Sequence, residues 1–205
     1  MSDVPSSLFP SEPEELLPYD GSAVLHREVI APDDADRLFD ALAASVPAEA
    51  KLIRSPGGWV REPRLTVWFG DPGCAYTYSG LTLEPTPWSA AALEVRQICD
   101  RLAGTEFNSC LLNLYRDGRD SVDWHADDEP ELGHRPTIAS VTLGAERRFA
   151  LRHNETRERV EVAPPSGSVL LMSGDSQHRW KHHVPKTAKP VGPRINLTYR
   201  VISPA

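Results

Sequence analysis

From Ser109 to Ile202 the chain reads as eight short strands separated by turn residues, and this density of strands constrains the fold more than any other feature. The segments are approximately Ser109 to Arg116, Ser121 to His125, Thr137 to Leu143, Arg147 to Arg152, Arg159 to Ala163, Ser168 to Met172, Arg179 to His183 and Arg194 to Ile202. A short strand cannot bury its apolar face alone, so a run of them calls for two facing sheets. Two helical stretches precede the strands. Pro32-Asp33-Asp34 opens one that runs to about Val46, with Leu38, Phe39, Leu42 and Val46 on one face and Pro47 as its stop. The other runs from about Ser89 to Ala103 and ends at Gly104. The expected fold is mainly β with flanking helices (α+β), a two-sheet sandwich or jelly roll with the helices packed outside.

The first half is less regular. Residues 1–20 are proline-rich, with five acids and no Lys or Arg, and read as a disordered acidic tail whose Leu16, Leu17 and Tyr19 dock at its end. Residues 21–205 then form one domain, opening on a strand from Ala23 to Ile30. Between 51 and 88 the pattern changes to short pieces broken by Ser55-Pro56-Gly57-Gly58, Glu62-Pro63, Gly70-Asp71-Pro72-Gly73 and Glu84-Pro85-Thr86-Pro87. Trp59, Trp68, Phe69, Tyr76 and Tyr78 crowd this stretch. Trp68 and Phe69 read as core, whereas Tyr76 and Tyr78, on one face of a strand, suit either a small core or a platform for nucleic-acid bases.

Composition sets the remaining bounds. The longest apolar runs, such as Val169 to Met172, are too short to cross a membrane, and the acidic N-terminus has no secretory leader, so a cytoplasmic protein is expected, or a nuclear one in a eukaryote. Three cysteines with no paired spacing fit a reducing compartment. The formal net charge of -7 argues against a generic polyanion binder, yet it is unevenly distributed. Residues 147–205 carry 11 Lys or Arg against 4 acids, and residues 1–146 carry 11 against 25. An acidic protein with one basic face is consistent with that split.

The candidate chemistry begins at Trp124-His125-Ala126-Asp127-Asp128-Glu129. On a strand His125 and Asp127 share a face, side by side as two metal ligands. His-x-acid tripeptides arise about once by chance in such a composition, and two more occur at His26-Arg27-Glu28 and His153-Asn154-Glu155. Other residues single out the first. In Arg194-Ile195-Asn196-Leu197-Thr198-Tyr199-Arg200 every second residue is polar, so one face presents Arg194, Asn196, Thr198 and Arg200. Asn113 and Tyr115 repeat the pattern on an earlier strand. A third ligand is expected from the histidines at 178, 182 and 183, and strand periodicity leaves His178 and His182 as candidates. Two His and one carboxylate suit non-haem Fe(II), and also zinc. An arginine-lined anion site fits an iron oxygenase with a dicarboxylate co-substrate, whose far carboxylate needs a cationic anchor.

Together these residues resemble the AlkB family of Fe(II)- and 2-oxoglutarate-dependent nucleic-acid dioxygenases, and most closely its repair-type members. The resemblance runs from about Arg61 to Ile202. It rests on Pro63-Arg64-Leu65-Thr66, Tyr76-Thr77-Tyr78-Ser79, Asn113-Leu114-Tyr115, Trp124 to Glu129, Ile138-Ala139-Ser140, Trp180-Lys181-His182-His183-Val184-Pro185 and Arg194 to Arg200. It implies a double-stranded β-helix (jelly-roll) core with N-terminal helices and a nucleotide-recognition lid over 51–88. It also implies iron on His125, Asp127 and His182, because the family's distal ligand stands three residues before the proline that is here Pro185. Asn113, Tyr115, Arg194, Asn196 and Arg200 look like the 2-oxoglutarate set, with Arg194 toward the distal carboxylate. Tyr76, Tyr78, Ser79, Trp124, Asp128, Glu129, Arg147 and Arg148 look like substrate contacts, with Glu129 reading the exocyclic amino group of a base. Arg152, Lys186 and Lys189 are further candidate phosphate contacts.

The implied activity is oxidative demethylation of bases such as 1-methyladenine and 3-methylcytosine, with dioxygen as oxidant and formaldehyde released. This chain lacks the bulky wedge and long basic loop of the double-strand-preferring members, so single-stranded or locally opened DNA, or RNA, is the expected partner of a monomer. The alternatives are a 2-oxoglutarate dioxygenase acting on a protein or small molecule, and a non-catalytic nucleic-acid-binding module.

Overall fold

The computed structural model describes residues 12–55, 57–78 and 81–203. In chain order the strands are β1 (Glu14–Glu15), β2 (Ser22–His26), β3 (Leu52–Ser55), β4 (Gly58–Arg61), β5 (Leu65–Gly70), β6 (Tyr76–Tyr78), β7 (Leu81–Leu83), β8 (Ser109–Tyr115), β9 (Val122–His125), β10 (Ile138–Gly144), β11 (Phe149–His153), β12 (Arg159–Val162), β13 (Ser168–Ser173), β14 (Trp180–Val184) and β15 (Arg194–Arg200). The helices are α1 (Pro32–Ala43), α2 (Ala90–Ala103) and the single turn α3 (Ser176–Arg179). A 7-stranded sheet has the order β1-β2-β13-β10-β15-β8-β5, and a 4-stranded sheet has the order β12-β11-β14-β9. The pairings between these strands are antiparallel. This is the expected jelly-roll core.

The large sheet separates two different environments. Its apolar side chains Leu112, Val141, Ile195 and Leu197 pack with Leu38 and Leu42 of α1 and Val95 and Cys99 of α2 into one buried cluster. Tyr199 joins it and donates its hydroxyl to the Ala92 carbonyl at 2.7 Å, so this buried polar group is satisfied. The opposite face looks toward the small sheet. At one end Leu170, Met172, Phe149, Leu151 and Trp180 close the gap between the sheets with a second apolar cluster. The polar face of β15 occupies the remaining space. Pairing brings Asn196 opposite Asn113 and Thr142, and Thr198 opposite Ser140, so polar residues from three strands collect in one place.

Several local expectations are corrected. The first strand ends at His26 rather than Ile30, because Glu28 adopts a left-handed φ of 55° that no strand ladder accommodates. Helix α1 ends at Ala43, and Ser45 and Val46 tighten into 3-residue turns on the Leu42 and Ala43 carbonyls ahead of Pro47. Residues 12–20, read as part of a disordered tail, are held in place: β1 pairs with β2, Leu17 is buried, and Tyr19 donates to Glu158 at 2.7 Å. Glu15 binds the backbone N–H groups of Leu17 and Ala23, a local order that composition does not encode. The rest of the expected tail, residues 1–11, lies outside the described residues. The expected lid over 51–88 is interrupted, since β5 is a wholly buried strand of the large sheet, and only the hairpins β3-β4 and β6-β7 stand apart from the sheets. Trp68 and Phe69 are core. Arg179 belongs to α3, so His178 does not share a strand with His182.

Candidate active site

Three side chains converge between the sheets. Ligand atoms of His125, Asp127 and His182 all lie within 4.8 Å of one another. His125 ends β9 and is the ladder partner of His182 on β14, which places the rings 4.3 Å apart. The β9 strand stops there, so Asp127 arrives from a loop and not, as alternation implied, from the same strand face. Its backbone N–H donates to Gln177 Oε1 at 3.0 Å, which ties that loop to α3. Nδ1 of His125 lies 2.8 Å from the Asp123 carbonyl, which fixes the proton on Nδ1 and leaves the Nε2 lone pair to face a metal.

Electrostatics keeps this triad ready for a cation. Burial, followed by the neighbouring His125, pushes His182 down to about 3. Burial also lowers His125, against the opposing pull of Asp127. For Asp127 burial acts upward, but the charge and hydrogen bond of Arg200 lead the opposing effects and hold the carboxyl below its ordinary range. Both imidazoles are therefore neutral and the carboxylate is ionised at neutral pH. Arg200 Nη2 donates to Asp127 Oδ1 at 2.7 Å, while Oδ2 is buried with no hydrogen-bond partner. A buried carboxylate oxygen in that condition costs stability unless a cation takes it, so the site fits a divalent metal.

The pocket that holds the triad is a small cavity of about 40 Å³ and is also lined by Arg64, Asn113, Tyr115, Ser140, Asn196, Thr198 and Arg200. Arg194 is not on this wall. It packs against the Tyr115 ring, 5.4 Å from its centroid, and Nη2 donates to Thr142 Oγ1 at 2.9 Å. Its Nε and Nη1 are buried without a hydrogen-bond partner. Burial lowers its guanidinium to about 10, with Tyr115 opposing, so it remains a cation at neutral pH. A cation buried with two idle donors fits an anionic oxygen pair.

Asn196 lines the pocket, with its amide held by neighbouring groups. Its Nδ2 donates to Ser140 Oγ and the Val141 carbonyl, and its Oδ1 accepts from Thr198, so the amide is occupied by protein.

The 2OG-Fe(II) oxygenase superfamily profile matches residues 22–200. Over 181 residues the chain is 40% identical to the alpha-ketoglutarate-dependent dioxygenase alkB homolog 3 of Bos taurus, covering 83% of this chain and 63% of the relative. It is 38% identical over 183 residues to the DNA oxidative demethylase ALKBH2 of Mus musculus, covering 83% of this chain and 76% of the relative. This chain is an AlkB-family 2OG-Fe(II) oxygenase. It spans about 63% of the length of the alkB homolog 3 relatives from cattle and human. Among solved structures, OsALKBH1 superposes with a TM-score of 0.64 at 16% identity, covering 92% of this chain and 100% of that one, and a Pseudomonas putida prolyl-4-hydroxylase superposes at 0.55 and 16%, covering 88% and 93%. These two likenesses concern the fold.

The remaining expected contacts of this AlkB-family chain are distributed unevenly. Arg147 is buried and donates to the Asp117, Asp120 and Pro185 carbonyls, a structural clamp rather than a phosphate contact. Trp124 is not among the pocket-lining residues and instead stacks on His183. Asp128 is exposed, and Glu129 starts a short 3-10 turn; because β9 has already ended, neither continues a shared strand face with Asp127. Arg148 is exposed, 3.5 Å from Glu161. The side chains of Tyr76 and Tyr78 and the whole of Ser79 lie outside the described residues. His178 stacks on His134 at 5.3 Å and does not line the pocket.

Sequence reasoning missed Arg64 and Gln177. Arg64 stands in the quoted Pro63-Arg64-Leu65-Thr66 stretch, pairs with buried Glu62 at 2.8 Å and donates to Asn113 Oδ1 at 2.7 Å. Nothing local marks Gln177. Among the described residues, no helix is long and apolar enough to cross a membrane.

Proposed function

We propose that this chain is an Fe(II)- and 2-oxoglutarate-dependent dioxygenase that oxidatively demethylates N-alkylated bases such as 1-methyladenine and 3-methylcytosine in DNA. The observation that carries the reading is the convergence of neutral His125, ionised Asp127 and neutral His182 beside a pocket walled by polar groups, with cationic Arg194 at Tyr115. His125, Asp127 and His182 would hold the iron. Tyr115, Asn113 and Arg194 would hold 2-oxoglutarate, with the idle donors of Arg194 on its distal carboxylate. When bound, iron and 2-oxoglutarate supply the oxidising equivalent from dioxygen that converts an N-methyl group to an unstable N-hydroxymethyl, which breaks down to formaldehyde and the restored base.

The chain's own residues prepare that chemistry. Arg200 fixes one oxygen of Asp127, which would leave the other for a metal, and Gln177 holds the loop that carries it. Asn196, bound to Ser140, Val141 and Thr198, acts as a positioning residue for the polar wall. A pocket between two sheets cannot admit a base still stacked in a duplex, so the substrate base must be extruded, at least cost where the lesion already weakens pairing. Asp128, Glu129, Tyr76, Tyr78 and Ser79 are assigned to the extruded nucleotide, and Arg148 to its backbone. Single-stranded or locally opened DNA fits best, acted on by a monomer in the cytoplasm or nucleus, with RNA as the alternative strand.

The deciding experiment is formaldehyde release from methylated oligonucleotides with Fe(II), ascorbate and 2-oxoglutarate. Release from a 1-methyladenine or 3-methylcytosine strand that is abolished in Asp127→Ala supports the reading. Succinate formation without release from either base would transfer the activity to another class of substrate.

A further inference from the structure

Glu62, Arg64 and Thr66 alternate along the chain that leaves β4 and enters β5, which places their side chains on one face. The backbone there is fastened on both sides. The Glu62 N–H donates to the Lys51 carbonyl at 2.8 Å, and the Pro63 carbonyl accepts from the Ser121 N–H at 3.0 Å. Two opposite charges are buried together on the shared face. The Glu62 carboxylate pairs through Oε1 with Arg64 Nη2 at 2.8 Å, and its Oε2 accepts from Thr66 Oγ1 at 3.1 Å. Arg64 donates from Nε to Asn113 Oδ1 at 2.7 Å, and its Nη1 lies 3.4 Å from the Ser121 carbonyl. A cation that lines the pocket is thus committed to protein acceptors before any anion arrives. Ladder pairing sets Asn113 between Thr66 of β5 and Asn196 of β15. A guanidinium only donates, so the Asn113 atom that meets Arg64 Nε is the oxygen. Among the described residues its Nδ2 has no hydrogen-bond partner, whereas the Asn196 amide across the ladder is occupied by protein.

We propose that Glu62 and Arg64 form a positioning pair that locks the Asn113 amide with its N–H donors available to the anionic co-substrate and its oxygen turned away. This role presupposes the assignment of Asn113 to 2-oxoglutarate. An amide with no fixed partner turns through 180° and sets either its oxygen or its nitrogen against a ligand. At a carboxylate the wrong choice opposes two acceptors. The bond from Arg64 Nε removes that choice, because a turned amide would press its NH2 against a donor-only guanidinium and leave both groups unsatisfied. Glu62 makes the lock durable. A buried guanidinium without a counter-charge would be drawn to the co-substrate itself, whereas one paired with a carboxylate that Thr66 also holds stays on the amide. The two asparagines of the pocket therefore divide the work: Asn196 is bound within the wall, and Asn113 keeps its donors for the ligand.

The test is titration calorimetry of 2-oxoglutarate into the full chain loaded with Mn(II). In Glu62→Gln/Arg64→Met both charges leave together, so no buried ion is stranded, and the glutamine still meets Thr66. With methionine beside it the amide turns its oxygen to the pocket, and 2-oxoglutarate should bind about tenfold more weakly. Asn113→Ala should cost about tenfold in the wild-type chain but less than about threefold in the double variant, because the amide there no longer favours the anion. A pair that merely supported the fold would leave the Asn113 contribution intact, so equal losses from Asn113→Ala in the two backgrounds overturn the proposal. Arg64→Lys keeps the charge and the Glu62 partner but has no planar fork to serve Glu62 and Asn113 at once. It should also weaken 2-oxoglutarate by about tenfold with the melting temperature unchanged, and it decides the matter if the double variant fails to fold. Wild-type affinity in Arg64→Lys overturns the proposal. Wild-type affinity in Asn113→Ala overturns the assignment of Asn113 to the co-substrate and the positioning role with it, a result distinct from equal losses in the two backgrounds.

Discussion

Replacing Arg194 with methionine should strengthen the empty protein while removing its co-substrate. Burial lowers the guanidinium from 12.5 to about 10, with Tyr115 opposing. For a base, a folded-state pKa below the unfolded one means that the charged form is penalised by folding. The penalty is present in full below about pH 10 and disappears only above the unfolded value. A depression of that size corresponds to about 3 kcal/mol at neutral pH. Losing the bond to Thr142 returns about 1 kcal/mol of this. A net gain of about 2 kcal/mol should raise the melting temperature of a chain of this length by about 4 to 8 °C. The same substitution removes the cation that would meet a buried carboxylate, a loss of about 3 to 5 kcal/mol, or at least about a hundredfold in 2-oxoglutarate affinity. Calorimetric melting with Mn(II), with and without 2-oxoglutarate, reads both effects. The wild-type chain should gain about 2.7 kcal/mol at a hundredfold excess over Kd, and the variant none. A variant that melts below the wild type, or that binds 2-oxoglutarate within about tenfold of it, refutes the reasoning.

Because His182, His125 and Asp127 all sit below their ordinary pKa values, divalent metal binding at pH 6.5 should release fewer protons than the roughly one that two unperturbed imidazoles would together release; titration calorimetry in buffers of differing ionisation enthalpy distinguishes these cases. Below pH 6.5 the unfolded chain protonates its His182 while the folded one does not, so the metal-free protein should lose up to about 1.4 kcal/mol per pH unit toward pH 3 from this residue. Denaturant midpoints against pH should show the slope reduced in His182→Asn. Arg147→Leu should destabilise by about 3 kcal/mol through three stranded carbonyls, yet leave the salt slope of oligonucleotide binding unchanged; a flatter slope would restore Arg147 to the phosphate contacts. Gly21→Ala should drive a Cβ into the backbone of Ser176 at the start of α3 and so loosen the Gln177 contact to Asp127. Weaker Mn(II) binding with a lowered melting temperature is the expected result, and no change in either would contradict it.

Much of the site was legible because a strand's period of two is a strict geometric rule. The polar face of β15 and the Asn113–Tyr115 pair both follow from it, and the antiparallel register brings the two together. Where the backbone leaves the strand, the rule fails. Alternation extended from His125 through Asp127 to Glu129 describes a strand that ends at His125, so Asp127 reaches the site by a loop and Glu129 stands at the start of a 3-10 turn. The same rule aligned His178 with His182, whereas α3 rotates His178 away to His134. Charge alone could not separate Arg147, consumed by three carbonyls, from exposed Arg148, because the difference lies in which acceptors the fold brings near.

The sequence by itself determined the strand-rich architecture, the two helices that cover one sheet face, and the residue types of a His/Asp/His centre with arginines close by. These follow from local periodicity and from the chemistry a side chain carries wherever it is placed. Only the tertiary structure decided that Arg200 orients Asp127, that Gln177 holds its loop, that Arg194 is buried with two idle donors, and that Trp124 turns from the pocket to support Arg152. Each is a contact between residues far apart in sequence, set by sheet register and by the side of the sheet a residue faces, and neither quantity is local to any stretch of the chain.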